Sequence, residues 1–400
     1  MSQTTRFVHL RNIPWLAIIT SLLLGNLNAS AAAANTPSTH SQTRVVLDAV
    51  TMVTPTIGWA INQYHVLRTV DGGRVWTSVT PKHFQSTDIS GPQPSEITPN
   101  TTWTFVGKQD AWIAQGGLQV GAPSRSVSIY HTVNGGQQWS RFTLSQSLPR
   151  TFTAVGGTVS PLQLDMLGQQ GWLVLTAGRA ALQMPTLLEH TTSGGRSWQP
   201  VWNGMGNEGP VAFASARIGW MVPGIAMPLL RRTTDGGHTW HTANPPLPPR
   251  ITSPTLQGEI APSLALPRFF KGAHGVWPIV SGYGPTHWAV RLYTAIDQGQ
   301  RWKLGPPSLH LQQDGAIDAQ IVTARIVWIL QSSSVAHTSN DGSTWVTDPL
   351  PPSLGTPIAL TAASNRTAWV LSRSRSGISE LWETNDGGRQ WTIVTPHKST

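Results

Sequence analysis

A short phrase, Thr-x-(Asp/Asn/Ser)-Gly-Gly-x-x-Trp, recurs seven times with variation along this chain, and its third position holds the residues best able to do chemistry: Asp71, Asn134, Ser193, Asp235, Asp297, Asn340 and Asp386. Aspartates in such a series could act as nucleophiles, general bases or calcium ligands. Asn and Ser fill three of the seven positions, however, and neither replaces a catalytic carboxylate. All seven can accept hydrogen bonds from backbone N–H groups a few residues on, which is the chemistry of a tight turn. We therefore assign the set a structural role. A second set is His65, His131, His190 and His337, which recur near the ends of comparable strands. Converging imidazoles would bind zinc or copper. Equivalent strands of successive repeats splay apart instead, so these histidines are expected to be structural, with no metal site and no cofactor.

The elements that position these residues follow from the repeat. Each phrase ends on a tryptophan (Trp76, Trp139, Trp198, Trp240, Trp302, Trp345, Trp391), and each is preceded by a landmark tryptophan (Trp59, Trp112, Trp172, Trp220, Trp277, Trp328, Trp369). These pairs use fourteen of the nineteen tryptophans, so most of the large aromatic content serves a repeating unit. Within a unit, short runs rich in Val, Ile, Thr and Trp are bounded by Gly and Pro, the pattern of strands. The first unit reads as strands at Val45–Val50, Ile57–Ile61, His65–Thr69 and Trp76–Val79. Phrase-final tryptophans are spaced 42 to 63 residues apart, and the short spacings match a bare propeller blade of about 40–45 residues. The expected fold is all-β, a seven-bladed β-propeller of four-stranded antiparallel blades over residues 45–396.

Composition narrows the function classes. The chain has 400 residues and no cysteine, so disulfides, thiolate metal sites and a cysteine nucleophile are excluded. Lys and Arg number 27 against 18 Asp and Glu, a net charge of +9. Basic residues are dispersed, whereas a nucleic-acid binder concentrates them in a stripe, so no nucleic-acid partner is expected. A positive surface suits an anionic cell-envelope polymer, and scarce carboxylates suit an acidic habitat. At the start, Arg6 and Arg11 precede an apolar run from Ile13 to Leu24, followed by Ala29-Ser30-Ala31 and Ala31-Ala32-Ala33. Residues 1–33 read as a secretory signal peptide, residues 34–44 as a spacer and 397–400 as a tail. The mature chain is expected to be secreted or extracytoplasmic, with no membrane segment, and monomeric.

The phrase resembles the Asp-box, or BNR repeat, and the chain is most similar to the photosystem II stability and assembly factor family of exported propellers. Ile218-Gly219-Trp220 with Thr233-Thr234-Asp235-Gly236-Gly237-His238-Thr239-Trp240 carries the likeness best. The fifth copy departs from it: Ala295-Ile296-Asp297-Gln298-Gly299-Gln300-Arg301-Trp302 lacks the Thr and the first Gly. The resemblance spans about residues 45–396, and it implies a non-enzymatic assembly or stability scaffold. Asp-box propellers also include sialidases, which implies an alternative, a carbohydrate-binding or glycoside-hydrolysing surface protein. That alternative needs an arginine cluster, a Tyr–Glu pair and an acid/base Asp. The Phe/Tyr-Arg-Ile-Pro phrase of sialidases is missing, and none of the six Glu falls in a catalytic setting. Tyr64, Tyr130 and Tyr293 sit in or beside the strand before the turn. Asp165 and Asp318 lie just before strands and would approach the central channel.

The phrase joins the third strand to the fourth, and the turn before the landmark Trp joins the first to the second. Both fall on one face of the disc. The long insertions (Pro81–Thr102, Gly116–Ser126, Thr176–Pro185, Ala243–Pro267, Ser281–Thr286, Ser372–Ser379) fall on the other. Function concentrates in loops on a rigid scaffold, so the long-loop face is the expected partner-binding surface, with Arg125, Arg179, Arg373 and Arg375 as cationic contacts to a protein or an anionic polymer.

Overall fold

A computed structural model describes residues 44–62, 64–84, 101–116, 126–144, 159–177, 185–205, 209–221, 230–243, 259–260, 266–270, 274–283, 287–305, 309–311 and 316–399. Their strands form seven antiparallel sheets, one per repeat, in a seven-bladed β-propeller. Among the described residues the helical structure is a single 3-10 turn, Pro352–Leu354, between the sixth and seventh blades. In each blade the strands pair in chain order, and the first strands of neighbouring blades face one another around the axis. In the first blade the strands are Ala49–Met52, Gly58–Ile61, Val66–Thr69 and Val75–Ser78. The opening strand thus starts four residues later than the sequence pattern suggests. The fifth blade splits two of its strands. Glu259–Ile260 and Arg268–Phe269 share the inner edge of Gly275–Tyr283, and Lys303–Leu304 and Leu309–His310 share the outer edge of His287–Ala295.

The repeated phrase builds the same turn each time. In all seven copies the side-chain oxygen at the third position accepts the N–H four residues on: Val75, Gln138, Ser197, Thr239, Arg301, Thr344 and Gln390, at 2.9–3.0 Å. Where Thr opens the phrase, its hydroxyl accepts the N–H of the second glycine, as in Thr69 with Gly73 at 3.1 Å. Both turn positions after the third residue have positive φ, including Gln298 (57°) and Asp341 (60°), which replace the first glycine in the fifth and sixth copies. The second glycine is present in every copy. A Cβ on Gly195 would strike the ring of Trp112 in the preceding blade, and one on Gly299 would lie 2.6 Å from Trp220 Nε1. Left-handed backbone and close approach of the neighbouring blade together require glycine there.

Tryptophan packing joins blade to blade. The landmark residues Trp59, Trp112, Trp172, Trp220, Trp328 and Trp369 are at most 2% exposed. Several reach the next blade's turn face through their N–H: Trp59 to the Gly107 carbonyl, Trp172 to that of Gly236, and Trp328 to that of Ser364. The phrase-final Trp76, Trp198, Trp240 and Trp391 instead fold back onto the carbonyl of their own second glycine.

Each terminus supplies a full blade, and the ring closes by adding a strand. His397–Lys398, placed in a tail by the sequence reading, pairs in parallel with the outer strand of the first blade, opposite Val75 and Trp76. Backbone bonds run from Val45 N–H to the Pro396 carbonyl, from His397 N–H to Arg74, and from Ser399 N–H to Trp76, at 2.9–3.0 Å. Ending the chain at Thr395 removes all three and should cost about 2 kcal/mol, given roughly 0.5–1.5 kcal/mol net for each. The measurement is the urea midpoint of the truncated chain. An unchanged midpoint would mean that packing between the seventh and first blades closes the ring unaided.

Candidate binding surfaces and central channel

One face of the disc is stitched down. The first residue after the third phrase position donates its N–H to a carbonyl in the turn between the first and second strands of the same blade. Gly72 bonds Thr56, Gly135 bonds Gln109, Gly194 bonds Gln169, Gly236 bonds Arg217 and Gly387 bonds Arg366, each at 2.9 Å. Three of those turns, and the matching turn of the sixth blade, carry a further brace. Thr54, Ser215, Thr323 and Ser364 accept the N–H three residues on. This Ser/Thr lies five residues before the landmark Trp and is visible in the sequence once the blade register is known.

The opposite face carries the connections between second and third strands. In the seventh blade, Arg373 ends the second strand, Ala368–Arg373, and Arg375 is exposed on the turn that follows. That turn is closed by Ser374 N–H to the Ile378 carbonyl at 2.8 Å, with Gly377 at φ 81°. The structure thus brings Arg373 and Arg375 into one connection. Arg125 and Arg179 lie outside the described residues, as do most of the long insertions.

Asp165 and Asp318 sit on the innermost strands of the third and sixth blades. Each is turned to a neighbouring backbone. Asp165 accepts the N–H of Phe213 on the first strand of the fourth blade, and Asp318 accepts that of Leu360 on the first strand of the seventh, both at 2.9 Å. Gln163 does the same work with an amide, bonding both the carbonyl and the N–H of Val211 at 2.6 Å. Arg268 donates to the Ile321 carbonyl, linking the fifth and sixth blades, and Thr361 accepts the Met52 N–H, linking the seventh to the first. The channel carboxylates therefore hold blades together. Burial pushes both up to about 6, against the lowering effect of the N–H groups they accept.

The histidines divide. His131, His190 and His337 occupy the third-strand position opposite the landmark Trp, and each ring stacks on that indole at 3.5, 4.9 and 4.5 Å between centroids. The same position holds Arg68 and Arg232 over Trp59 and Trp220, Tyr293 beside Trp277, and Glu383 opposite Trp369. It is a packing position open to any flat or long side chain. His65 stands elsewhere, in the turn before its strand, with its N–H on Asn62 Oδ1. Among the described residues no group of three or more His, Asp or Glu could hold a metal ion. No described helix is long and apolar enough to cross a membrane.

Two buried carboxylates escaped the sequence reading. Glu383 is 5% exposed and pairs with Arg74 of the first blade at 3.1 Å, a second clasp across the closure. Glu189 is fully buried, and neither of its oxygens has a hydrogen-bond partner among the described residues.

No family model and no curated protein matches this sequence. Among solved structures, the chain is similar to YCF48 bound to D1 peptide, at 18% identity over 86% of this chain and 94% of that one, with a TM-score of 0.49. It is similar to the GH74 xyloglucanase from Xanthomonas campestris at 12% identity and a TM-score of 0.50, over 89% of this chain and 55% of that one. It is similar to Hadza microbial sialidase Hz136 at 11% identity, over 85% of this chain and 66% of that one, with a TM-score of 0.44. At 12% identity the likeness to the xyloglucanase is one of fold alone, and a fold hosts unrelated functions.

Proposed function

We propose that this protein is an exported, non-enzymatic propeller that serves as a binding or assembly scaffold at the cell envelope. One observation carries the reading. Hydrogen bonds tie down the turns on one face in at least five blades, so the disc is a rigid base for the connections on the other. The likeness of the repeated phrase to the Asp-box, and of the chain to the assembly-factor family, supports a protein partner. The two channel aspartates are committed to neighbouring backbone, which removes the best candidates for glycoside hydrolysis.

Arg373 and Arg375 are the contacts to test. Arg375 is exposed and Arg373 half-buried, and arginines held at a short, hydrogen-bonded turn pair with acidic groups at little entropic cost. An envelope protein that co-purifies with the wild-type chain should be lost from the Arg373→Ala, Arg375→Ala double variant and retained by Arg196→Ala on the stitched face. Retention by the double variant and loss with Arg196→Ala would move the partner to the stitched face and sink the proposal.

A further inference from the structure

We infer that the cleft between the fourth and fifth blades, on the stitched face, binds an acidic saccharide, with Arg217 and Arg232 holding a uronate carboxylate. The cleft has a volume of about 710 Å³. Its polar lining is Ser215, Arg217, Arg232, Thr234, Gln298 and Gln300. It lies beside the aberrant phrase. At the preceding junction the Trp172 N–H closes onto the carbonyl of Gly236, the first glycine of its phrase. Gln298 takes that glycine's place in the fifth copy, and the buried N–H of Trp220 has no acceptor among the described residues.

Two guanidiniums face this opening. Arg232 lies over the Trp220 ring at 5.7 Å, and its Nε is buried without an acceptor among the described residues. Arg217 is anchored by its Nε on the Thr234 carbonyl at 3.3 Å, which leaves its outer nitrogens to a ligand. The nearby acids are already engaged. Asp297 binds Arg301 at 2.9 Å, and Asp235 accepts from Thr233 and Thr239. The cleft is therefore a cationic site matched to a planar oxyanion, which two arginines bind with several charge-assisted hydrogen bonds.

The rest of the lining selects the carrier of that oxyanion. Side-chain amides and hydroxyls donate and accept at once, which complements sugar hydroxyl groups. Most backbone groups of Arg217 and Ile218 are engaged: Ile218 N–H bonds Ser215, the Ile218 carbonyl takes Ala214 N–H, and the Arg217 carbonyl takes Gly236 N–H. A peptide main chain would find few groups to pair with here, whereas a pyranose needs only side chains.

Calorimetric titration with trigalacturonate tests the inference, with neutral galactotriose and a glutamate-rich peptide as comparisons. Trigalacturonate should bind the wild-type chain, more weakly as salt rises, and galactotriose should not. Arg217→Ala and Arg232→Lys should each weaken binding at least about ten-fold, the scale of a lost charge-assisted bond. The lysine keeps the charge and removes the planar fork that spans a carboxylate. Because Arg232 packs on Trp220, Gln300→Ala serves as a variant on the exposed rim and should also weaken binding. Absence of trigalacturonate binding, equal binding by all three variants, or capture of the peptide in place of the saccharide would each overturn the inference.

Discussion

Replacing Trp172 with alanine is expected to destabilise the propeller by about 4 kcal/mol, the scale of a fully buried aromatic reduced to a methyl group. Trp172 has no exposed surface. Its indole stacks on Phe213 of the next blade with ring centroids 3.5 Å apart and planes 3° from parallel, and on His190 of its own blade at 4.9 Å. Its N–H closes onto the Gly236 carbonyl at 2.9 Å. The alanine variant loses this packing and leaves the carbonyl without that donor at a blade junction. Phe213 also makes an edge contact with Trp240, so a collapse of Phe213 into the vacated space would disturb the fourth blade's own turn. Denaturant titration with tryptophan fluorescence reads the loss as a lower midpoint at an unchanged slope. Trp172→Phe should recover part of it, since it restores the stack and not the hydrogen bond. A loss below about 1.5 kcal/mol in the alanine variant, less than any such core truncation costs, would mean that the junction is held elsewhere.

That junction also marks what could be read from the sequence. The Trp172–Thr191 spacing and the Gly194-Gly195 turn identify a blade and the face its turn occupies, because tight turns demand particular residues. The residue opposite each landmark Trp was only half legible. Histidines recur there, but Arg68, Arg232, Tyr293 and Glu383 share the position, and what unites them is a place opposite the landmark Trp rather than residue type. Closure was invisible for a different reason. His397–Lys398 is a polar pair with no strand pattern, and it joins a sheet only because Val75 and Trp76 present an open edge. Asp165 and Asp318 were placed near the channel from their positions before strands. Their hydrogen bonds to Phe213 and Leu360 link residues 48 and 42 positions apart, a distance no local pattern reports.

Glu189 was the least legible of all, and its replacement by leucine is expected to stabilise the protein by about 3 kcal/mol at pH 8. In Leu187-Leu188-Glu189-His190 an alternating strand would put the glutamate in solvent. A blade interior has neighbours on both sides. Leu187 packs into the core shared by the second and third blades, and Glu189 shares that side of the sheet. Burial pushes its carboxyl up to about 7 from an ordinary 4.5, with no hydrogen-bond partner among the described residues to offset the cost. That gap corresponds to about 3 kcal/mol between the ionised and neutral forms. Because the folded value lies above the unfolded one, the neutral carboxyl favours the fold below pH 4.5, and that contribution disappears as pH rises through 7. Asp165 and Asp318, raised to about 6, act in the same direction. His190 and His337, lowered by burial, oppose it, because they lose stability as pH falls through the ordinary histidine range. The difference between Glu189→Leu and the wild type cancels those other groups. It should shrink by about 3 kcal/mol between pH 8 and pH 4. A pH-independent difference, or a variant less stable than the wild type at pH 8, would show that the carboxylate has a partner in solution.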